Sequence, residues 1–158
     1  MRDVNSPPAL AAPHSGRQQV MASCGQATIA ELTAGVAAIV PVPDISVVRP
    51  PELGLVMLRG RTGGDGPLFN LGEATVTRAA VRLATGEMGV SYVLGRSLEK
   101  ARLAAIVDAL AQVPGNHSRL DEALFGPVRQ RRLHERATKD AQTAATRVDF
   151  FTLVRGED

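Results

Sequence analysis

Arginine spacing and a cluster of glycines are where this sequence first offers chemistry. The stretch RGRTGGDGPLFNLGEATVTRAAVRL, residues 59–83, sets Arg59 and Arg61 beside a glycine-rich reversal and follows them with Arg78 and Arg82. Guanidinium groups make forked contacts with carboxylates and phosphates, so four of them near glycines raise the question of a phosphate site. A phosphate loop of the G-x-x-x-x-G-K-[ST] kind cradles its anion in backbone amides and adds a lysine and a magnesium-binding hydroxyl. GRTGGDGPLF has neither at the required places. The dinucleotide fingerprint G-x-G-x-x-G is missing as well, and the residues that follow read as a strand, which leaves no helix N-terminus to receive a pyrophosphate. The glycines therefore read as a hairpin turn, because Asp-Gly and Gly-Gly supply the positive φ angles of tight reversals. The arginines stay in play. By strand alternation Arg59 and Arg61 share one side, as do Arg78 and Arg82, and Glu73 is near enough in sequence to pair with one of them. Solvated or salt-bridged edge residues on one hand, and an anion-binding or subunit-facing group on the other, are both open readings of these five.

Other chemistry is sparse. His14, His117 and His134 are widely separated, with no metal-ligand spacing. Ser91 and Ser97 lack a G-x-S-x-G setting, and Cys24 has no histidine beside it in sequence. The expectation is no catalytic pair, no metal and no cofactor bound by this chain alone, which favours a subunit over a stand-alone enzyme.

Composition bounds the rest. The 158 residues suffice for one ordinary domain. A single cysteine excludes an intramolecular disulfide and fits a reducing, cytoplasmic setting. All of the 18 basic residues except Lys100 and Lys139 are arginine, which hints at anionic partners. One tyrosine and four phenylalanines, with no basic-aromatic interleaving, argue against nucleic acid. The longest apolar run, GVAAIVPV at 35–42, is broken by Pro41 and falls far short of the roughly 20 residues a membrane span needs.

The elements that must position these residues form an α+β pattern, a mainly antiparallel sheet flanked by helices. Residues 1–16 carry three prolines and read as a flexible lead-in, and 17–158 as a single domain. RQQVMASC at 17–24 predicts a short helix. TIAELTAGVAAIV at 28–40 predicts a better one, with a Thr28–Glu31 capping box and a stop at Pro41 and Pro43. ISVVR at 45–49 and GLVMLRGR at 54–61 read as two strands separated by Pro50-Pro51, with Leu55–Leu58 buried on both faces. From Ala74 to Leu83, Thr75, Thr77, Ala79, Val81 and Leu83 share a packable strand face, although so short a run also permits a helix. MGVSYVLG at 88–95 returns as a hairpin partner. Residues 97–113 make the clearest helix, capped by Ser97, with Leu103, Ile106, Leu110 and Val113 on one face. Ser118–Phe125 adds a short helical turn with a Ser118–Asp121 capping spacing. A long helix over 128–146 has only a thin stripe of Val128, Leu133, Ala137, Ala141 and Ala145, which suits a partner better than a core. Its basic run, Arg129 to Lys139, reads as a solvated face. The closing RVDFFTLVRGED is strand-like and carries Phe150 and Phe151 near the end of the sequence, so it calls for a docking place.

Three stretches carry a family resemblance: RPPELGLVMLRGRTGGDGPLFNLGEATVTRAAVRL, GVSYVLGRSLEKARLAAIVDAL, and the terminal AATRVDFFTLVRGED. Together, from about Leu32 to Asp158, they closely resemble the G subunit of the bacterial carbon-phosphorus lyase complex. At the N-terminal side, family members usually show R-x-x-W-M, where this chain has Arg17-Gln18-Gln19-Val20-Met21. The resemblance implies phosphonate breakdown in a cytoplasmic core complex with I-type, H-type and J-type subunits and with associated K-type and L-type proteins. The implied reaction displaces adenine from MgATP by an alkylphosphonate, giving ribose 1-methylphosphonate 5-triphosphate, and it places no catalytic residue on the G subunit. A homodimer is compatible with that frame. Arg147, Asp149, Phe150, Phe151 and Arg155 of the terminal motif are the expected partner interface, beside the arginine strands.

Overall fold

The computed structural model describes residues 16–63 and 65–146. The lead-in 1–15 and the terminal motif from Arg147 onward, with Asp149, Phe150, Phe151 and Arg155, lie outside the described residues. The order is α1 (Gly16–Gln26), α2 (Ile29–Ala37), β1 (Ile45–Arg61), β2 (Leu68–Leu83), β3 (Met88–Leu94), α3 (Leu98–Gln112), α4 (Asn116–Leu120), a wide π turn (Asp121–Phe125) and α5 (Gly126–Ala145). The three strands form one antiparallel sheet in the order β1-β2-β3. This is the expected α+β architecture.

Alternation in β2 decides which face is covered. Thr77, Ala79, Val81 and Leu83 are buried, and α3 lies across β2 and β3. The expected α3 stripe underestimates that helix. Every residue from Ala104 to Leu110 is buried, because the sheet holds one side while α1 and α2 pack on others. Leu32, Leu110, Leu120 and Leu124 are fully enclosed, each contributing about 1.5–3 kcal/mol by leaving water. Val20, at the position where tryptophan is usual, is buried in the same core, so α1 is docked.

Buried polar groups fix how α3 meets the sheet. Asp108, 1% exposed, accepts from Arg17 Nε at 3.1 Å, from an Arg17 terminal nitrogen at 2.8 Å and from the Val90 backbone N–H at 2.8 Å. One carboxylate thus ties α1, β3 and α3 together. Ser91 donates to the Ala101 carbonyl and Thr77 to the Gly95 carbonyl, both at 2.7 Å. Paired in this way, these groups leave no unsatisfied side-chain polar atom in the described core, and their hydrogen bonds offset the cost of leaving water.

Several expectations need correction. The two strands over 45–61 are one, because both prolines fall within the register shift between Arg49 and Glu52, where a ladder N–H is dispensable. Leu55, Met57 and Leu58 are exposed rather than buried on both faces, since β1 and β2 run on past the end of β3. The segment 73–83 is strand throughout and begins earlier, at Leu68. Ser118 caps nothing. It lies inside α4, whose chain continues through the π turn into α5, with Pro127, which has no N–H to give, at the start of that helix. Cys24, within the helix expected over 17–24, is buried on α1, and burial pushes its thiol up to about 12.

The Thr28–Glu31 capping box is present. The Glu31 N–H donates to Thr28 Oγ1 at 3.2 Å, and the Thr28 N–H donates to Glu31 Oε2 at 2.7 Å. Arg131 of α5 then grips the same carboxylate at 2.8 and 3.0 Å. Hydrogen bonds from Arg131, joined by those from Thr28 and opposed by partial burial, hold Glu31 down to about 2, below its ordinary 4.5. A carboxylate depressed in the folded state stabilises fully above its unfolded value and loses that contribution as pH falls through the folded one. We expect the wild type to lose stability between pH 4.5 and 2 more steeply than Glu31→Gln, measured by urea midpoints across that range. Parallel pH profiles would contradict the assignment.

Candidate functional site

Two elements leave the core, and they carry the candidate residues. The first is the β1–β2 ribbon. β3 pairs only with Val76–Arg82, so the seven pairs from Leu55 opposite Thr75 to Arg61 opposite Leu68 form a two-stranded extension about 20 Å long. Its turn is made as expected by the glycine-rich segment, with Gly63 at φ 62° and the Gly66 N–H donating to the Thr62 carbonyl at 2.9 Å. The second element is α5. Val128 is its one buried residue among those described, Arg131 its last partly buried one, and every residue from Arg132 to Thr146 is exposed.

The candidate arginines divide between these regions. Arg78 sits in the three-stranded part, directly between Glu52 on β1 and Tyr92 on β3. Its Nε donates to Glu52 Oε1 at 2.7 Å, and Arg49 approaches the same oxygen at 3.4 Å. Tyr92 first and Glu52 second raise the Arg78 pKa above its ordinary value. Arg82 lies two positions past Ala80 on the same uncovered face, opposite Ser46 and Met88. Arg59 and Arg61 occupy the ribbon's tip, opposite Asn70 and Leu68, and Arg61 donates to the Gly66 carbonyl at 3.2 Å.

Six residues of β1 lie between Glu52 and Arg59, which are about 23 Å apart along extended chain, so the two arginine pairs do not converge on one anion. Glu73 pairs in register with Met57, on the face opposite to that of Arg78. Among the described residues, the carboxylate that meets a candidate arginine is Glu52. Sequence reading passed over Glu52 and Tyr92, and the signal that finds them is cross-strand register rather than proximity along the chain.

On α5 the basic run is partly paired. Arg129 holds Asp121 at 2.8 Å, Arg131 bridges Glu31 and Glu135, and Arg132 meets Glu135 at 3.0 Å. An open groove of about 980 Å³ runs along this helix, lined among others by Gln26, Arg132, Leu133, Arg136 and Lys139. No group of three or more metal-ligating side chains is present among the described residues. None of the described helices is long and apolar enough to cross a membrane.

The described fold is that of an α+β protein from whose core a β-ribbon and α5 extend, and comparison with known proteins gives it a family. Residues 15–156 match the family model described as phosphonate metabolism protein PhnG. The chain belongs to that family, and phosphonate metabolism is its setting. A curated relative from Rhizobium meliloti (strain 1021) is 51% identical over 142 residues, covering 90% of each chain. That relative is named alpha-D-ribose 1-methylphosphonate 5-triphosphate synthase subunit PhnG.

Proposed function

We propose that this chain is an accessory, non-catalytic subunit of a ribose 1-methylphosphonate 5-triphosphate synthase, working in the cytoplasm in organic phosphonate breakdown. It assembles with I-type, H-type and J-type subunits, alongside K-type and L-type proteins, and supports displacement of adenine from MgATP by an alkylphosphonate. MgATP is then a substrate of the complex rather than a cofactor of this chain. One observation carries the reading: a ribbon and a helix both leave the core with apolar and basic side chains in solvent. Such surface is costly for a monomer and suits contact with another subunit. The relative's name as a synthase subunit supports the same conclusion.

A second reading has its own support. Arg59, Arg78 or Arg82 would grip a phosphate or triphosphate across a subunit boundary, and among the described residues neither Arg59 nor Arg82 forms an ion pair. Arg78→Ala separates the two. Loss of assembly, read by co-purification of the other subunits, fits an interface role for the Glu52–Arg78–Tyr92 row. Intact assembly with lost adenine release fits the second reading and contradicts the purely accessory one.

A further inference from the structure

The ribbon carries apolar side chains on both of its faces, which an ordinary surface hairpin does not. Cross-strand partners share a face, so register assigns the sides. Leu53, Leu55 and Met57 continue the row that lies under α3 where Leu53 meets buried Thr77, yet they are 53%, 62% and 53% exposed. On the opposite side Leu58 is followed by Gly60, which pairs in register with Phe69. A Cβ there would sit 3.4 Å from the Phe69 ring. Phe69 itself remains 44% exposed. A two-stranded hairpin is marginal in water without a packed face, and this one offers two.

We propose that the ribbon is an insertion element, gripped on both faces by a cleft of another subunit of the complex, apolar inside and acidic where it meets Arg59 and Arg61. This rests on the accessory-subunit reading and names the element and the partner chemistry. A flat surface covers one side of a ribbon and leaves the other wet, so the occupant must close around it. A second copy of this chain is the poorer fit on charge. The tip presents Arg59 and Arg61, and the other projecting element, α5, presents Arg132, Arg136 and Lys139, so pairing copies through these elements brings like charges together. An acidic rim on a different chain complements both. The register shift between Leu58 and Arg59 adds local twist near the tip, which also keeps the ribbon from offering a flat edge to another copy.

The test places a photo-crosslinking residue at position 57 and, separately, at position 69, in the complex purified through a tag on another subunit. Both positions should crosslink to one and the same subunit, identified by mass spectrometry as a chain other than this one. Crosslinks to a second copy of this chain, crosslinks from only one face, or none from either while the chain still co-purifies, would each overturn the insertion. Failure of the wild-type chain to co-purify at all would instead remove the accessory-subunit reading beneath it. Charge is tested by reversing Arg59 and Arg61 to Glu together. Recovery of the complex should fall by about tenfold or more at low salt, with the circular dichroism of the free chain unchanged. Unchanged recovery overturns the acidic rim.

Discussion

Gly89→Ala should lower the melting temperature steeply, by about ten degrees or more. Gly89 opens β3 beneath α3, and a Cβ built there would lie 1.9 Å from the Ala105 carbonyl oxygen, 2.6 Å from the Ala109 nitrogen and 2.8 Å from Ala109 Cβ. Two of these obstacles are helix backbone, which no rotamer change can move. The helix would have to rise off the sheet, and its neighbours leave no room for that, since the residues from Ala104 to Leu110 are all buried. Lifting it would also stretch the contact between Asp108 and the Val90 N–H. Overpacking costs about 1–3 kcal/mol where side chains can yield, so a backbone clash here should exceed about 3 kcal/mol, against a total stability of about 5–15. Thermal unfolding followed by circular dichroism checks this. Gly25→Ala supplies the control, being helical with nothing within 4 Å of the added methyl, and should be neutral or slightly stabilising. Wild-type melting by Gly89→Ala would show that the close approach of α3 to β3 is not required.

Removing residues 148–158 should do the reverse, sparing the fold and abolishing assembly. The described core draws on residues from Val20 to Val128, and Thr146 follows a helix whose last partly buried residue is Arg131. At about 1.5 Å per residue, α5 carries the chain roughly 21 Å beyond that anchor before the terminal motif begins. A segment with Phe150, Phe151 and Arg155 has the composition of an interface centre. Two aromatic anchors at about 2 kcal/mol each correspond to a loss of roughly a thousandfold in affinity for the partner. The truncated chain should therefore stay folded, keep its melting temperature within a few degrees, and fail to co-purify with the I-type subunit. Undiminished co-purification would remove the terminal motif from the interface.

Much of the fold was legible because local signals and tertiary needs agreed. The capping box at Thr28, the Ser97 cap and the alternation of Thr77, Ala79, Val81 and Leu83 each act over a few residues, and each reappears in the structure. The readings that failed concern where the core stops. Leu55, Val56, Met57 and Leu58 have the composition of a central strand, and only the length of β3 reveals that the sheet has run out of cover beneath them. Composition reports what a residue would bury against, not whether anything is there. Pro50 and Pro51 misled in a related way, since a register shift can absorb what a regular ladder cannot. At the candidate site, Arg78 was found by type and alternation, whereas its partner Glu52 is 26 positions away and depends on pairing register. The terminal motif, singled out by its paired phenylalanines and by the family resemblance, lies outside the described residues.

The central claim is that this chain acts as a built-in part of a phosphonate-processing assembly. The most direct measurement is the native mass of the chain coexpressed with the I-type subunit and purified through a tag on that partner. The account predicts one stable species containing both chains, which the isolated chain cannot form with itself. Recovery of the tagged partner without this chain, with this chain eluting alone as a stable monomer, would contradict it.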